Sequence, residues 1–424
     1  MPASRDPSGH LLLGGASLAA IAGQVGTPAY VYDLDGIAAE ARALRAAFQD
    51  SPHLVAYAVK ANSAGAIVRT LAAEGCGADI VSGAELLVAL GCGVPPEKIV
   101  YNGVAKTDDE LDRAVGAAIG AIQVESVEEI ARVEARARAA GRRVRVSIRV
   151  NPGVDLEGAT HAHIATGHDR AKFGVPRDQV PRAVERIEVS ADLTLVGITS
   201  HVGSHFTDVG PYVSAAQVLF SLVRTLRDAG RLKSLQYVDT GGGFGVSYAD
   251  QVVVEPPSAF VTAARAEQRT AGLSDLALYV EPGRCLVAAH GVLLARVVQT
   301  KETSAGRWLM IDAGMNDLIR PALYQAVHRV MPVEDSSSPG SALPWRVVGP
   351  VCESSDDFGE HVLPREPPRL VALLDAGAYG YTMASRYNGR QLPAEVFVRG
   401  GAVAGVTKRL PPDEWARDRI AAGR

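Results

Sequence analysis

The stretch VAYAVKANS, residues 55–63, closes an apolar, strand-like run on Lys60. Only seven of the 43 basic residues are lysines, so this amine is not a default surface cation. An ammonium near apolar walls loses solvation, its pKa falls, and it can attack aldehydes. A strand-end lysine reaching solvent is the plainer alternative. Two turns suggest a second chemistry. DTGGGFG (239–245) and EPGR (281–284) offer main-chain amides with little side chain in the way, able to approach phosphate oxygens. A tight turn without a ligand is the competing reading. Glu281 adds a carboxylate and His201 an imidazole. Taken alone, Cys352 reads as inert packing, and Arg320 and Tyr324, four apart, as neighbours on one helix face. His161 and His163 fall on the same side of an extended segment, but with no carboxylate or Cys nearby they make a poor metal site, and no metal is assigned.

These groups need a frame. Residues 36 to about 290 alternate short β-rich runs with helical stretches, the runs being 54–60, 78–82, 98–103, 121–125, 144–152, 194–204, 235–243 and 276–284. Segment 126–143 is typical of the stretches between them, with Ser126 as N-cap, apolar residues at helical spacing and a glycine near its end. Eight β-then-α units in about 250 residues predict a closed parallel (β/α)8 TIM barrel. An open doubly wound sheet has the same rhythm, but no GxGxxG stands at the first turn. Beyond residue 290 strand-like runs dominate, predicting a mainly-β domain of mixed or antiparallel strands, a Greek-key barrel or sandwich. The predicted division is a barrel over 36–289 and a mainly-β domain from 1–35 plus 290–424 that contributes to the active site and dimer interface. HLLLGGASLAAIAG (10–23) reads as a short strand and then a helix capped by Ser17, not as a signal peptide, because Gly14 and Gly15 interrupt it. Residues 333–344 read as a flexible loop.

Composition narrows the function classes. With 424 residues, 47% apolar and 21% charged, the chain reads as a soluble two-domain protein. A net charge of −4 disfavours a nucleic-acid partner, and no run approaches the roughly 20 apolar residues of a membrane span. Four dispersed cysteines without a CxxC pair suit a reducing cytoplasm.

In a β/α barrel the reactive groups stand at the C-terminal strand ends. Lys60, Asn102, Glu125, Asn151, His201, Gly241 to Gly243, and Glu281 to Arg284 end seven of the eight runs, so they share one rim. A barrel rim carrying phosphate-type turns after strands seven and eight together with an aldehyde-reactive lysine points to pyridoxal 5'-phosphate. Glu281 could keep the ring nitrogen protonated, and His201 could stack on the ring.

The ordered motifs GTPAYVYDLDGI, YAVKAN, GADIVSGAEL, THAHIATGHDRAKFGV, SHVGS, DTGGGFGVSY, EPGR, DAGMNDLIRPALY, VGPVCES and AGAYGYTMASRYNGR span nearly the whole chain. In that order they resemble the fold-type III pyridoxal-phosphate decarboxylases, which act on ornithine, lysine, arginine and diaminopimelate, and most nearly the diaminopimelate branch. The resemblance implies an alanine-racemase-like barrel and conversion of meso-2,6-diaminopimelate to L-lysine and CO2 by a cytoplasmic homodimer with shared active sites. It implies that Lys60 carries the cofactor, that His201 stacks on it, and that Glu281 faces its nitrogen. Ser204, Gly243, Gly283 and Arg284 of EPGR, and Tyr379 would hold it. Arg284, Arg320, Tyr324, Glu353 and Tyr379 would bind substrate. Cys352 would return the proton, it and Glu353 coming from the partner subunit. A guanidinium pair reads a carboxylate through bidentate hydrogen bonds, which suits a diacid.

Three departures bear on the substrate. Ser355 stands where the family has Gly, an extra acidic residue, Asp357, follows, and His205 stands where Gln is common. A relative acting on another or modified amino acid and an amino-acid racemase are therefore the alternatives. A barrel aldolase and a cofactor-binding protein without catalysis are more distant ones.

Overall fold

The computed structural model describes residues 3–154, 171–248, 252–334 and 342–422. His161, His163 and most of the 333–344 stretch lie outside the described residues. The chain divides into two compact units, one of residues 38–246 and 252–285, the other of residues 1–37, 247–251 and 286–424.

The first unit is the expected barrel. Its strands are β1 His53–Ala58, β2 Gly77–Ile80, β3 Ile99–Tyr101, β4 Ala121–Val124, β5 Val144–Asn151, β6 Leu193–Thr199, β7 Tyr237–Asp239 and β8 Ala277–Val280. All pair in parallel in chain order, and β8 closes on β1 with Leu278 opposite His53. Helices follow the strands, several entered by a capping residue legible in the sequence. Ser82 accepts from the Glu85 amide at 3.2 Å and Ser126 from the Glu129 amide at 3.1 Å. Thr107 and Glu110 form a reciprocal capping box. Each such cap stabilises its helix by about 1 kcal/mol.

Successive strand residues face opposite sides, so residues two apart share a face. Tyr237 and Tyr279 stack inside the barrel, centroids 4.0 Å apart at 7°, on a layer with Leu54, Ala56, Val100, Ala121 and Val196. Two residues further along β7 and β8 the same face carries Asp239 and Glu281. An apolar plug thus lies beneath a layer of acids at the C-terminal mouth.

The second unit is mainly β. One sheet runs in the order Asp357–Leu363, Leu343–Val348, Gly306–Ile311, Gly291–Thr303, Ala29–Asp33, Ala394–Arg399, Ala402–Thr407, and Leu370–Leu373 joins Gly291–Thr303 to Val330–Pro332. Two of its pairings are parallel, 306–311 with 343–348 and 29–33 with 394–399; the rest are antiparallel. Near the N-terminus, strand Leu11–Leu13 is followed by helix Leu18–Val25, whose cap Ser17 accepts from the Ala20 amide at 3.3 Å. Leu13, Ile21, Val31, Leu294, Leu374 and Val396 pack together in this unit's core. Among the described residues no helix is long and apolar enough to cross a membrane.

Candidate active site

Lys60, Asn102, Glu125, Asn151, His201, Gly241 and Glu281 each stand at or within two residues of the C-terminal end of a barrel strand. The strand-like run to Lys60 stops earlier than its hydrophobicity suggests. β1 ends at Ala58, and Lys60 sits in a 3-10 turn, Val59–Ala61. The EPGR turn backs this turn directly. The Ala58 amide donates to the Pro282 carbonyl at 3.0 Å, and a Cβ on Gly283 would lie 3.0 Å from that of Ala61 and 3.1 Å from that of Ala58.

From Lys60 a hydrogen-bonded chain crosses the mouth. Lys60 Nζ donates to Asp79 Oδ2 at 2.5 Å, while Asn102 Nδ2 lies 2.5 Å from Asp79 Oδ1 and 2.6 Å from Glu281 Oε1. Asp79 is fully buried and Glu281 is 7% exposed. Asp239, also fully buried, accepts from the Gly241 amide at 2.8 Å. Three carboxyl groups buried in one layer repel one another and are poorly solvated. Burial, reinforced by the charge of Asp79, pushes Asp239 up to about 7. Burial, with the charges of Asp239 and Asp79, holds Glu281 well above the usual carboxylate range, against the pull of Lys60 and Asn102.

His201 is half-buried, and its Nδ1 accepts from the Gly242 amide at 3.2 Å, which leaves the other nitrogen to carry the proton. Burial, then the positive charges of Arg149 and Lys60, hold its pKa well below the usual value, so the ring is neutral. Arg149 also fixes the backbone at this position. Its Nη2 donates to the His201 carbonyl at 3.2 Å and its Nη1 to Glu125 Oε1 at 3.1 Å, and its guanidinium lies 4.7 Å from the Phe173 ring centroid. Glu125 in turn accepts from the amides of Gly103 at 3.1 Å and Gly174 at 2.8 Å. One buried ion pair therefore ties together the loops after β3, β4, β5 and β6. Asn151 instead caps its own loop, accepting from the Gly153 amide at 3.0 Å.

On the other side of the mouth, Arg284 Nη2 donates to Ser204 Oγ at 3.2 Å. The glycines after β7 have a steric reason beyond any ligand. A Cβ on Gly242 would lie 2.0 Å from the Glu281 carbonyl oxygen, and one on Gly243 2.4 Å from that of Gly203. Gly241 and Gly243 also hold φ of 72° and 93°. The loop after β7 is wedged between those after β6 and β8, where no side chain fits. His205, one of the departures, adopts φ 71° beside this loop.

The β unit holds the other predicted residues. Arg320 opens the short helix Arg320–Tyr324 and is 5% exposed; Tyr324, at its end, is half-buried. Cys352 is exposed, not packed away as its position after an apolar strand suggests, and its amide donates to Asn388 Oδ1 at 2.9 Å. Glu353, also exposed, accepts from the Tyr387 hydroxyl. Buried Asp356 shapes this turn, its two oxygens each 2.6 Å from an amide, those of Met315 and Val351. Ser355 is exposed and points its hydroxyl at Met315 Sδ, 3.6 Å away. Half-buried Tyr379 holds φ 55°.

Sequence reading passed over Asp79, Asp239 and Arg149. Each puts a charge into a strand run near its C-terminal end, and Asp239 stands two residues beyond barrel-facing Tyr237, which is the signal that could have found them. The charges in the mouth also test the expected cofactor. Glu281 is a buried acceptor crowded by two other acids, so a cationic ring N–H placed against it would relieve repulsion. An amine stands in the same hydrogen-bonded chain. The residues present fit pyridoxal phosphate. Among the described residues no group of three or more His, Cys, Asp or Glu could hold a metal ion.

Comparison with known proteins agrees. A sequence profile described as pyridoxal-dependent decarboxylase, pyridoxal binding domain, matches residues 34–288. The chain is 40% identical to a diaminopimelate decarboxylase of Zymomonas mobilis, covering 97% of each chain, and 41% identical to one of Pseudomonas aeruginosa, covering 94% of each. Among solved structures, a diaminopimelate decarboxylase of Helicobacter pylori complexed with L-lysine matches with TM-score 0.88 at 35% identity, covering 95% of this chain and 99% of that one.

Proposed function

We propose that this chain, which belongs to the pyridoxal-dependent decarboxylases, converts meso-2,6-diaminopimelate to L-lysine and carbon dioxide, a lysine-forming step of amino-acid biosynthesis. The observation that carries the chemistry is the hydrogen-bonded chain Lys60–Asp79–Asn102–Glu281 at the barrel mouth. The substrate assignment rests on the full-length likeness to proteins named diaminopimelate decarboxylase.

Pyridoxal phosphate, when bound, supplies an electron sink for the pair left on the α-carbon as carbon dioxide departs. The remaining work falls to the chain's own residues. Lys60 would anchor the cofactor through its Nζ, and Asp79 holds that amine at the mouth by a charge-assisted hydrogen bond in the chain without cofactor. Glu281 would accept from the ring nitrogen and favour its protonated form. Neutral His201 would offer a flat face to the ring, its position held by Arg149 through the His201 carbonyl. Ser204, Gly243, Gly283, Arg284 and Tyr379 would hold the phosphate end, a role the Ser204–Arg284 hydrogen bond supports. Arg284, Arg320, Tyr324, Glu353 and Tyr379 bind substrate, the guanidinium groups taking the carboxylate that is retained. Fixing that remote end orients the scissile bond, so its binding energy acts on turnover as well as on affinity. Cys352 delivers a proton from Sγ to the α-carbon.

A second copy of the chain supplies Cys352 and Glu353, making the working form a homodimer. Exposure of both residues, and of the Tyr387 that donates to Glu353, supports this. A cytoplasmic setting suits four cysteines that are all free thiols.

The deciding experiment is product analysis with meso-diaminopimelate, lysine, ornithine and arginine as separate substrates. Lysine and carbon dioxide from the first alone is the expected result. Carbon dioxide from one of the others at comparable efficiency would overturn the substrate assignment. Borohydride reduction and peptide mapping should place the cofactor label on Lys60 and nowhere else.

A further inference from the structure

Arg320 is held in the β unit by an arrangement that the reaction as derived does not use. Its Nη1 lies 2.7 Å from His328 Nε2, and its guanidinium carbon lies 4.3 Å from the centroid of the Tyr248 ring. His328 is itself constrained. Its Nδ1 is 2.9 Å from the Leu374 carbonyl oxygen, which can only accept, so Nδ1 carries the proton and Nε2 presents a lone pair to Arg320. The ring also stands edge-to-face on Tyr248, centroids 5.3 Å apart at 68°. The backbone beneath is pinned, since the Leu374 amide donates to the Arg329 carbonyl at 2.8 Å and Arg329 pairs with Asp375 at 2.9 Å. Arg320, His328 and Tyr248 are 5%, 2% and 7% exposed.

Neither of these two contacts is with a carboxylate. A carboxylate would orient a guanidinium and cancel its charge at the same time. An imidazole lone pair and an aromatic face orient it without that neutralisation at these two contacts. The two contacts are also at right angles in function. His328 takes one N–H in the guanidinium plane and so fixes rotation about the long axis, while Tyr248 fixes the plane itself. Because a planar fork binds a carboxylate well only in register, setting plane and rotation beforehand raises affinity and specificity for that group.

We propose that His328 and Tyr248 are positioning residues that preset the Arg320 guanidinium for the carboxylate the substrate retains, making them determinants of diacid specificity. This rests on the assignment of Arg320 to that carboxylate. Removing carbon dioxide from diaminopimelate leaves lysine, which keeps that same carboxylate; 1,5-diaminopentane has the same amines and chain but no carboxylate. The two are therefore a matched pair of inhibitors for the cofactor-loaded enzyme.

The test measures inhibition constants of both against wild-type enzyme and the variants Arg320→Met, His328→Leu, His328→Gln and Tyr248→Leu. In His328→Leu, L-lysine inhibition should weaken about tenfold, the loss typical of one hydrogen bond to a charged group, with 1,5-diaminopentane unchanged within about twofold. His328→Gln, whose side-chain oxygen can replace Nε2 as acceptor, should recover most of the loss. Tyr248→Leu should show the same selective weakening, which keeps the proposal open to test should His328→Leu not fold. Equal weakening of both inhibitors in the His328 and Tyr248 variants would mean a merely structural role and would overturn the proposal. So would unchanged L-lysine inhibition in those variants while Arg320→Met loses it. If Arg320→Met itself leaves L-lysine inhibition intact, the underlying assignment of Arg320 fails instead, and the proposal with it.

Discussion

Replacing Asp239 by Asn tests the electrostatics of the barrel mouth. Asp239 is fully buried and its pKa rises from the usual 3.8 to about 7, burial being the main cause and the charge of Asp79 the next in the same direction. Its folded value lies above its unfolded value, so between the two the folded chain holds a proton that the unfolded chain has released. The stabilisation is fully present below the unfolded value and is lost as pH rises through about 7. At about 1.4 kcal/mol for each pH unit, the whole rise corresponds to about 4 kcal/mol, of which about 2 kcal/mol is lost between about pH 5.5 and about pH 8. Asn keeps an acceptor for the Gly241 amide, fits the same space and carries no charge. It also removes the second cause, after burial, of the raised pKa of Glu281. Urea denaturation of cofactor-free wild type and Asp239→Asn at those two pH values should show the variant losing less stability with rising pH, by about 2 kcal/mol. Loading the wild type with cofactor should flatten its curve in the same sense, because a cationic ring nitrogen offsets the repulsion. Parallel pH curves for wild type and variant would refute the claim that Asp239 is held partly protonated in the mouth.

Two other substitutions separate positioning from charge. Arg149→Lys keeps a cation near His201 but one ammonium cannot reproduce the fork that reaches both Glu125 and the His201 carbonyl, so about 1.5–3 kcal/mol of charge-assisted bonding is lost. The melting temperature should fall and the visible circular dichroism of bound cofactor should change; an unaltered cofactor spectrum would show that His201 does not depend on this contact. Asp356→Asn leaves one acceptor oxygen for two amides, one of them buried, and strands a donor, at a cost of about 1–3 kcal/mol. Turnover should drop and proteolytic cleavage within the 349–357 turn should quicken, and no change in either would detach this carboxylate from the placement of Cys352 and Glu353.

Much of this protein is determined locally and is legible as such. The eight barrel strands are short apolar runs ended by polar or glycine residues, and caps such as Ser17, Ser126 and Thr107 act within a few residues of themselves. Once eight parallel strands close, every C-terminal end must face one mouth, so the placement of Lys60, His201 and Glu281 follows from the order of the chain. The exposure of Cys352 and the partnership of Arg320 with His328 and Tyr248 do not follow in that way. They depend on how strands far apart in sequence pair and on which loop lies over which. Likewise Asp79 meets Lys60, and Asp239 crowds Glu281, only because barrel closure brings separate strands around one dry interior. Residue type sets what a group can donate or accept, whereas its charge state and its partner depend on burial and distance, and those exist only after the chain has folded.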